Sequence, residues 1–584
     1  MRLVFDIEAD GLLDTLTKIH CIVIHDLDSK ELFSFGPDKI DEAITMLEKA
    51  DVVIGHNVIG YDIPAIKKVY PTFSIPPYVD TLICSRLIWS DIKENDFRFQ
   101  RKSPDFPSRL IGKHSLESWG YRLRLLKGDY ALSNDFSTWS PAMQEYCERD
   151  VAVTVKLFER IDEKKYSLEA IELEHKFAQI IANQEQIGFP FDEKKAQDLY
   201  ARLVKKRLSI EESLQDKFKP IEHKTIFIPK VNNKTRGYVK GQATEKINIV
   251  AFNPNSRQHV AERLINKYGW KPKEFTPDGK PKVDDSILAE LNYPEAKELS
   301  EYFLIQKRIA QLAEGNQGWL KVQKHGRVFH SVITNGTPSG RCRHHSVNIS
   351  QVPSSSVPYG VECRSLFHAP TGYKLVGCDA SGIELRCLGH YLQPFDSGAF
   401  IKELLSGDIH EANRTSLGLS DRSGAKRFIY CLIYGGGNAR LGETIQKGAE
   451  EGKRLKANPA FKRLREAVIE KAQSGFLKGL DGRLLPIRST HSALNTLLQS
   501  AGSLIMKQAT ILLHEELDKT LTYAEDYAMV AHIHDEVQLL VKEQHAEEVG
   551  NKAVQSIRHT AEHFKFRCQL DGEYKIGNNW SETH

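Results

Sequence analysis

Two acids sit side by side in the apolar stretch AHIHDEVQLL, Asp535 and Glu536, and a third, Asp379, closes the apolar run YKLVGCD. Read as strand, turn and strand, the first stretch lifts Asp535 to a hairpin tip, while the second sets Asp379 at a strand end. Strand-end carboxylates are the anchors a pair of Mg²⁺ ions requires, and paired divalent metals serve phosphoryl transfer. Near the other end of the chain, the period of two in LVFDIEAD sends Val4, Asp6 and Glu8 to one face. Like charges that close repel unless a cation sits between them. GHNVIGYDIPAI places Asp62 where a strand gives way to a helix, and EYCERD places Tyr146 and Asp150 four apart on one helical face. Taken singly, each has a plainer explanation: an exposed strand end for Asp6 and Glu8, helix capping for Asp62, a surface helix for Tyr146 and Asp150.

In DRSGAKRFIYCLIYGGG, Arg422, Lys426, Tyr430 and Tyr434 recur every four residues and form one stripe on a helix. Two cations followed by two aromatics offer charge for a triphosphate and then a ring for a base. An amphipathic surface helix explains the segment alone equally well. Ser381 and Glu384, after Asp379, have the Ser-x-x-Glu spacing of a capping box.

In order along the chain, Asp-x-Glu, the Asp after Asn-x-x-x-Tyr, and Tyr-x-x-x-Asp resemble the three motifs of the DEDD proofreading exonucleases. That resemblance implies that Asp6, Glu8, Asp62 and Asp150 hold two divalent metals and that Tyr146 orients the attacking water. DASGIELR, RSGAKRFIYCLIYGGG and HDE resemble motifs A, B and C of the A-family DNA polymerases, the polymerase I class. GKHSLESWGYRL, DGRLLPIRSTHSALNTLLQSAG and NNWSETH are most similar to the replicative polymerases of T-seven-type podophages, and the likeness runs from Arg2 to His584.

The resemblance implies an α/β exonuclease domain of RNase H-like type over 1–165, followed by an α+β right-hand polymerase. Its thumb spans 166–328 with a basic insertion at about 217–246; its palm spans 329–400 and 481–584, and its fingers 401–480. The implied function is template-directed addition of dNMPs to a primer 3′ end by two-metal phosphoryl transfer, with 3′–5′ proofreading, in a phage replicative enzyme of the host cytoplasm. Carried over, Asp379 and Asp535 ligate the catalytic metals, with Glu536 in support. His410, Arg422, Lys426, Tyr430 and Ala380 meet the incoming dNTP, and Glu384 closes the sugar pocket. Tyr434 lies at the templating base, and Arg341, Gln351, Arg364, Asn495, Gln499 and His534 contact primer-template DNA. The cofactor is Mg²⁺, two per site, with Mn²⁺ as the substitute. Helicase-primase and a single-strand binding protein are the further partners implied.

The elements needed to position these groups are legible in outline. Residues 1 to about 160 alternate strand and helix patterns, those up to about 215 are helical, 285–325 are helical again, and strands and helices alternate from about 330. The length of 584 residues, 41% hydrophobic, suits several cores. The net charge of +3 is too mild to identify a nucleic-acid partner, so local charge decides. Residues 217–246 hold eight Lys or Arg against two Glu, read as a flexible basic loop or as a loop that tracks phosphates. No apolar run reaches membrane-spanning length and MRLVFDIEAD is no signal peptide. The nine scattered Cys residues, without a C-x-x-C pair, read as reduced, mostly buried thiols.

Three features depart from the family pattern. The basic segment is shorter than the podophage thumb insertion that recruits thioredoxin, which argues against that partner. SVNISQVP lacks the usual Pro before Asn, and no 5′-nuclease domain precedes FDIEAD. Two rival readings stand beside the polymerase: a nuclease whose C-terminal half only binds nucleic acid, and a non-catalytic binding module.

Overall fold

Strand β1 (Arg2–Ala9) is apolar on both faces: Leu3, Phe5 and Ile7 join one buried cluster and Val4 another. It therefore lies inside a five-stranded sheet with β2 (Ile19–Asp26), β3 (Leu32–Phe35), β4 (Val52–Gly55) and β5 (Tyr78–Asp80), in the order β3-β2-β1-β4-β5. β1 pairs antiparallel with β2 and parallel with β4. Two helices matter for the site, α1 (Asp62–Val69) and α2 (Pro141–Glu163); α2 packs across β1 and β2. The computed structural model describes residues 1–125, 135–407, 414, 422–444, 448–450, 453 and 459–584, which fall into two units. The first comprises Met1–Phe189, Phe329–Gln351 and His368–His584; the second comprises Pro190–Val328 and Val352–Phe367.

Helix α3 (Leu168–Ile187), grouped by the sequence reading with the segment 166–328, packs within the first unit. The cause is electrostatic as well as apolar: its fully buried Glu174 accepts from Lys507 Nζ at 2.5 Å and pairs with Arg483 Nη1 at 2.8 Å. Arg483 is itself fastened to Asp481. Buried charges persist when paired, here through a single carboxylate oxygen, Oε1, that meets both cations.

The second unit contains the long helix α4 (Glu193–Lys217), then strands β6 (Ile221–Phe227) and β7 (Thr244–Val250), and helix α5 (Pro294–Ile309) packed on α4. The basic segment expected to be a flexible loop is thus an antiparallel hairpin, registered from Ile221↔Val250 to Phe227↔Thr244. Its β-branched residues, Ile221, Thr225 and Ile226 opposite Thr244, Ile247, Ile249 and Val250, favour paired extended backbone.

The chain returns to the first unit through a short pair, β8 (Ser331–Ile333) and β9 (Arg343–His345). The main C-terminal sheet is antiparallel throughout: β10 (Tyr373–Ala380), β11 (Tyr527–Ile533), β12 (Glu536–Lys542) and β13 (Gly572–Gly577), in the order β11-β12-β10-β13. Helices α6 (Ile383–Asp396), α7 (Arg422–Ile433), α8 (Ala493–Leu517) and α9 (Ala546–His563) belong to the same region. α8 is buried around most of its circumference, as a central core helix must be. Among the described residues, no helix is long and apolar enough to cross a membrane.

Candidate active sites

β11 and β12 are joined by the two residues His534 and Asp535, because Ile533 pairs with Glu536. His534 adopts φ +56°, a left-handed conformation that costs a non-glycine residue about 1 kcal/mol. Asp379 pairs across the sheet with Glu536, and the Ala380 N–H donates to the Asp535 carbonyl at 2.9 Å. The two aspartates predicted to stand at strand ends therefore share one end of the sheet, both open to solvent. Desolvation of the Asp379 carboxyl, followed by repulsion from Asp535 and Glu536, pushes it up to about 7. Hard oxygen donors that repel one another suit a divalent cation such as Mg²⁺.

Glu536 points the other way. It is buried, accepting from Trp580 Nε1 at 2.7 Å and Gln538 Nε2 at 2.6 Å, with His584 Nδ1 at 2.8 Å. Burial alone would raise its carboxyl, but these three donors outweigh it and hold the group below the usual Glu range. The supporting residues Gln538, Trp580 and His584 were not singled out from sequence. Gln538 had a signal, its place two residues along the same strand face; Trp580 and His584 lie far along the chain and had none beyond the NNWSETH likeness.

The expected capping box at Ser381 is absent. Helix α6 begins at Ile383 after Gly382, whose φ of +57° turns the chain, while the Ser381 N–H donates to the Asp571 carbonyl. Glu384 is thereby freed for another partner. It accepts from the Tyr434 hydroxyl at 2.6 Å and pairs with Arg341 at 3.4 Å.

Helix α7 carries the predicted stripe. Lys426 is exposed, Tyr430 is half-buried with Lys426 Nζ 6.0 Å from its ring centre, and Tyr434 stacks on Tyr430 at 6.2 Å. The Tyr434 N–H still donates to the Tyr430 carbonyl, so the stripe continues one residue past the helix. Arg422 starts the helix, its side chain lying outside the described atoms, and His410 lies outside the described residues. Arg341, Gln499 and His534 line one cavity of about 380 Å³. Asn495 sits four residues before Gln499 on α8, and Gln351 is exposed. Arg364 lies in the second unit, buried, with Nε donating to the Pro353 carbonyl at 3.0 Å.

The N-terminal residues converge fully: Asp6, Glu8, Asp62, Asp150 and Tyr146 all line one cleft of about 1030 Å³. β1 supplies Asp6 and Glu8, α1 begins with Asp62, and α2 supplies Tyr146 and Asp150. Asp62 is buried rather than a surface cap; desolvation, with repulsion from Asp80 and Asp150, pushes it up to about 7 against the pull of its own N–H and that of Ile7. Cys147, read from the sequence only as one of the buried reduced thiols, completes the cluster, with ligand atoms of Asp6, Glu8 and Cys147 all within 4.8 Å of one another. Burial holds its thiol protonated, and Sγ donates to Asp6 at 3.6 Å. The donors left for a metal are therefore carboxylate oxygens, which favour Mg²⁺ or Mn²⁺.

The described residues thus hold two separate carboxylate clusters on two sheets, and α7 bears a Lys-Tyr-Tyr stripe. The model of DNA polymerase family A matches residues 230–582, and the chain belongs to that family, with its palm, fingers and thumb organisation. The chain is similar to the DNA-directed DNA polymerases of Enterobacteria phage T3 and Escherichia phage T7, each 36% identical over 707 aligned positions covering 100% of both proteins. It is also similar to DNA polymerase I of Pseudomonas aeruginosa, at 27% identity over 57% of this chain and 39% of that protein.

Proposed function

We propose that the chain is a template-directed DNA polymerase of the phage replicative kind, with a 3′–5′ proofreading exonuclease, and that its two carboxylate centres carry those two activities. The observation that supports this most is the meeting of Asp379 and Asp535 at one sheet end, near enough to α7 that both act on the Tyr430 hydroxyl. Asp379 and Asp535 hold two divalent metals in the polymerase site; Asp6, Glu8, Asp62 and Asp150 hold two in the nuclease cleft. When bound, such metals activate the attacking oxygen and neutralise charge on the leaving oxygen.

The protein's own groups supply position and charge. Lys426, with Arg422 and His410, meets the triphosphate; the Tyr430 hydroxyl faces the sugar, and the Ala380 backbone lies beside the metals. Glu384, held by Tyr434 and Arg341, closes the pocket where a 2′-hydroxyl would project. Arg341, Gln351, Arg364, Asn495, Gln499 and His534 bear on the primer-template, testing pair geometry through minor-groove acceptors that nearly all pairs share. In the cleft, the Tyr146 hydroxyl orients the attacking water. Residues 1–165 form the RNase H-like exonuclease domain. The palm is built from 329–400 and 481–584, the fingers from 401–480, and the thumb from the Pro190–Val328 part of the second unit.

The test is incorporation of one nucleotide on templates differing only in the next base. The parent adds the complementary dNTP alone, and Asp535→Ala adds none. Addition without regard to the template base would overturn the reading.

A further inference from the structure

The cleft that gathers Asp6, Glu8, Asp62 and Asp150 has another wall, and its chemistry is opposite. Arg86 and Lys113 reach it from the N-terminal region, and Arg343 and His345 reach it from β9, a strand some two hundred residues further along the chain. Arg343 and Lys113 are exposed and Arg86 is half-buried, yet none of the three forms an ion pair among the described residues. Carboxylates in this region are well used elsewhere: Arg122, close by in sequence, is bound through two nitrogens to Asp96 at 2.8 and 2.9 Å. The three cations also face one volume. Burial lowers the Arg86 guanidinium and Arg343 lowers it further against Asp80, and after burial Arg343, Arg86 and Lys113 all lower His345.

Two guanidinium groups and an ammonium share this wall; Asp80 and Glu185 act on Arg86 without forming an ion pair with it, and the repulsion among the cations is one an anion would relieve. Arginine presents a planar fork matched to phosphate oxygens. The cleft is open and continuous from these cations to the carboxylates, so the anion it suits is extended and carries repeated phosphates.

We propose that Arg343, with Arg86 and Lys113, binds the backbone phosphates of a single-stranded DNA 3′ end running toward Asp6 and Asp62. The strand groove of the nuclease is thereby completed by β9, from the polymerase half of the chain. This rests on the exonuclease reading, and it adds that one chain segment serves both halves: Arg343 contacts the strand in the cleft, while Arg341, two residues earlier, braces Glu384 of the polymerase pocket.

The test is binding of an end-labelled oligo(dT) single strand by the full chain, followed by fluorescence anisotropy over a salt series with Ca²⁺ in place of Mg²⁺. Each lost phosphate contact on a single strand flattens the slope of log K against log salt by about 0.7. Arg343→Gln is expected to flatten it by about 0.7 and Arg343→Gln with Lys113→Gln by about 1.4. Arg343→Lys, which keeps the charge, is expected to restore the parent slope. With Mg²⁺ present, the loss in Arg343→Gln appears as a raised KM for strand shortening rather than a lowered kcat. Unchanged slopes in both glutamine variants, or a loss that Arg343→Lys does not restore, would overturn the proposal. A parent that shows these slopes yet never shortens the strand would remove the exonuclease reading while leaving the phosphate groove in place.

Discussion

Nδ1 of His584 lies 2.8 Å from Oε2 of Glu536, on the buried side of the hairpin whose exposed tip is Asp535. The imidazole donates, because an ionised carboxylate only accepts. Asp535 and Glu536 are thus neighbours in sequence with opposite tasks: one projects from the sheet, the other anchors the turn from inside. His584→Ala removes a hydrogen bond to a charged group, worth about 1.5–3 kcal/mol. The expected result is a lower Tm and slower single-nucleotide incorporation, with strand shortening by the N-terminal cleft unaffected. Equal Tm and equal incorporation would show that the contact does not support the turn.

Tyr430 stands half-buried between Lys426 and Tyr434 on the stripe of α7 proposed to meet the dNTP. On that proposal, its hydroxyl takes over the contact a dideoxynucleotide loses with its 3′-hydroxyl. Tyr430→Phe is therefore expected to raise discrimination against dideoxynucleotides by about tenfold or more, the weight of one charge-assisted hydrogen bond. Competition between dATP and its dideoxy form in a primer-extension assay measures this; equal incorporation ratios for parent and variant would refute it.

The tip of the β6–β7 hairpin carries Lys230, Lys234, Arg236 and Lys240, none paired with an acid among the described residues. Nearer the base, Lys217 pairs with Glu298 and Lys224 with Glu245. The tip is ordered by Asn side chains instead, Asn233 accepting from the Arg236 N–H and Asn232 from the Lys240 N–H. Replacing the four cations by Gln is expected to flatten the salt slope of duplex binding by up to about 3.6, at about 0.9 per phosphate contact. A slope equal to the parent's would mean that the hairpin does not track duplex phosphates.

Glu185 on α3 accepts from the Val332 N–H at 2.5 Å and so ties α3 to β8. Burial outweighs that hydrogen bond and pushes its carboxyl up from 4.5 to about 7. The native state thus keeps a proton that the unfolded chain releases, so stability from this group is present below pH 4.5 and lost as pH rises through about 7. Glu185→Gln, which still accepts from Val332, is expected to melt higher relative to the parent at pH 8 than at pH 5. A gap independent of pH would contradict the assignment.

What the sequence showed and what it hid follow from the range of each interaction. Asp6, Glu8 and Asp379 were legible because a period of two and an apolar run fix their local placement. Glu384 has a spacing from Ser381 that also fits a cap, which is local, whereas the partners it makes, Tyr434 and Arg341, come from other elements. Cys147 was read only as a buried thiol because its approach to Asp6 depends on α2 crossing β1. The hairpin at 221–250 was taken for a loop because its Lys, Pro, Gly and Asn residues masked the β-branched ones that pair. Helix α3 was grouped with the thumb because nothing local reveals that Glu174 meets Lys507 and Arg483.

The most direct test of two centres with two activities is a gel assay of an end-labelled primer on a longer template with Mg²⁺, with and without the four dNTPs. The parent is expected to extend the primer with dNTPs and shorten it without them. Asp535→Ala should keep only the shortening, and Asp62→Ala only the extension. A parent that shortens the primer under both conditions and never extends it would contradict the account and leave a nuclease whose C-terminal half merely binds DNA.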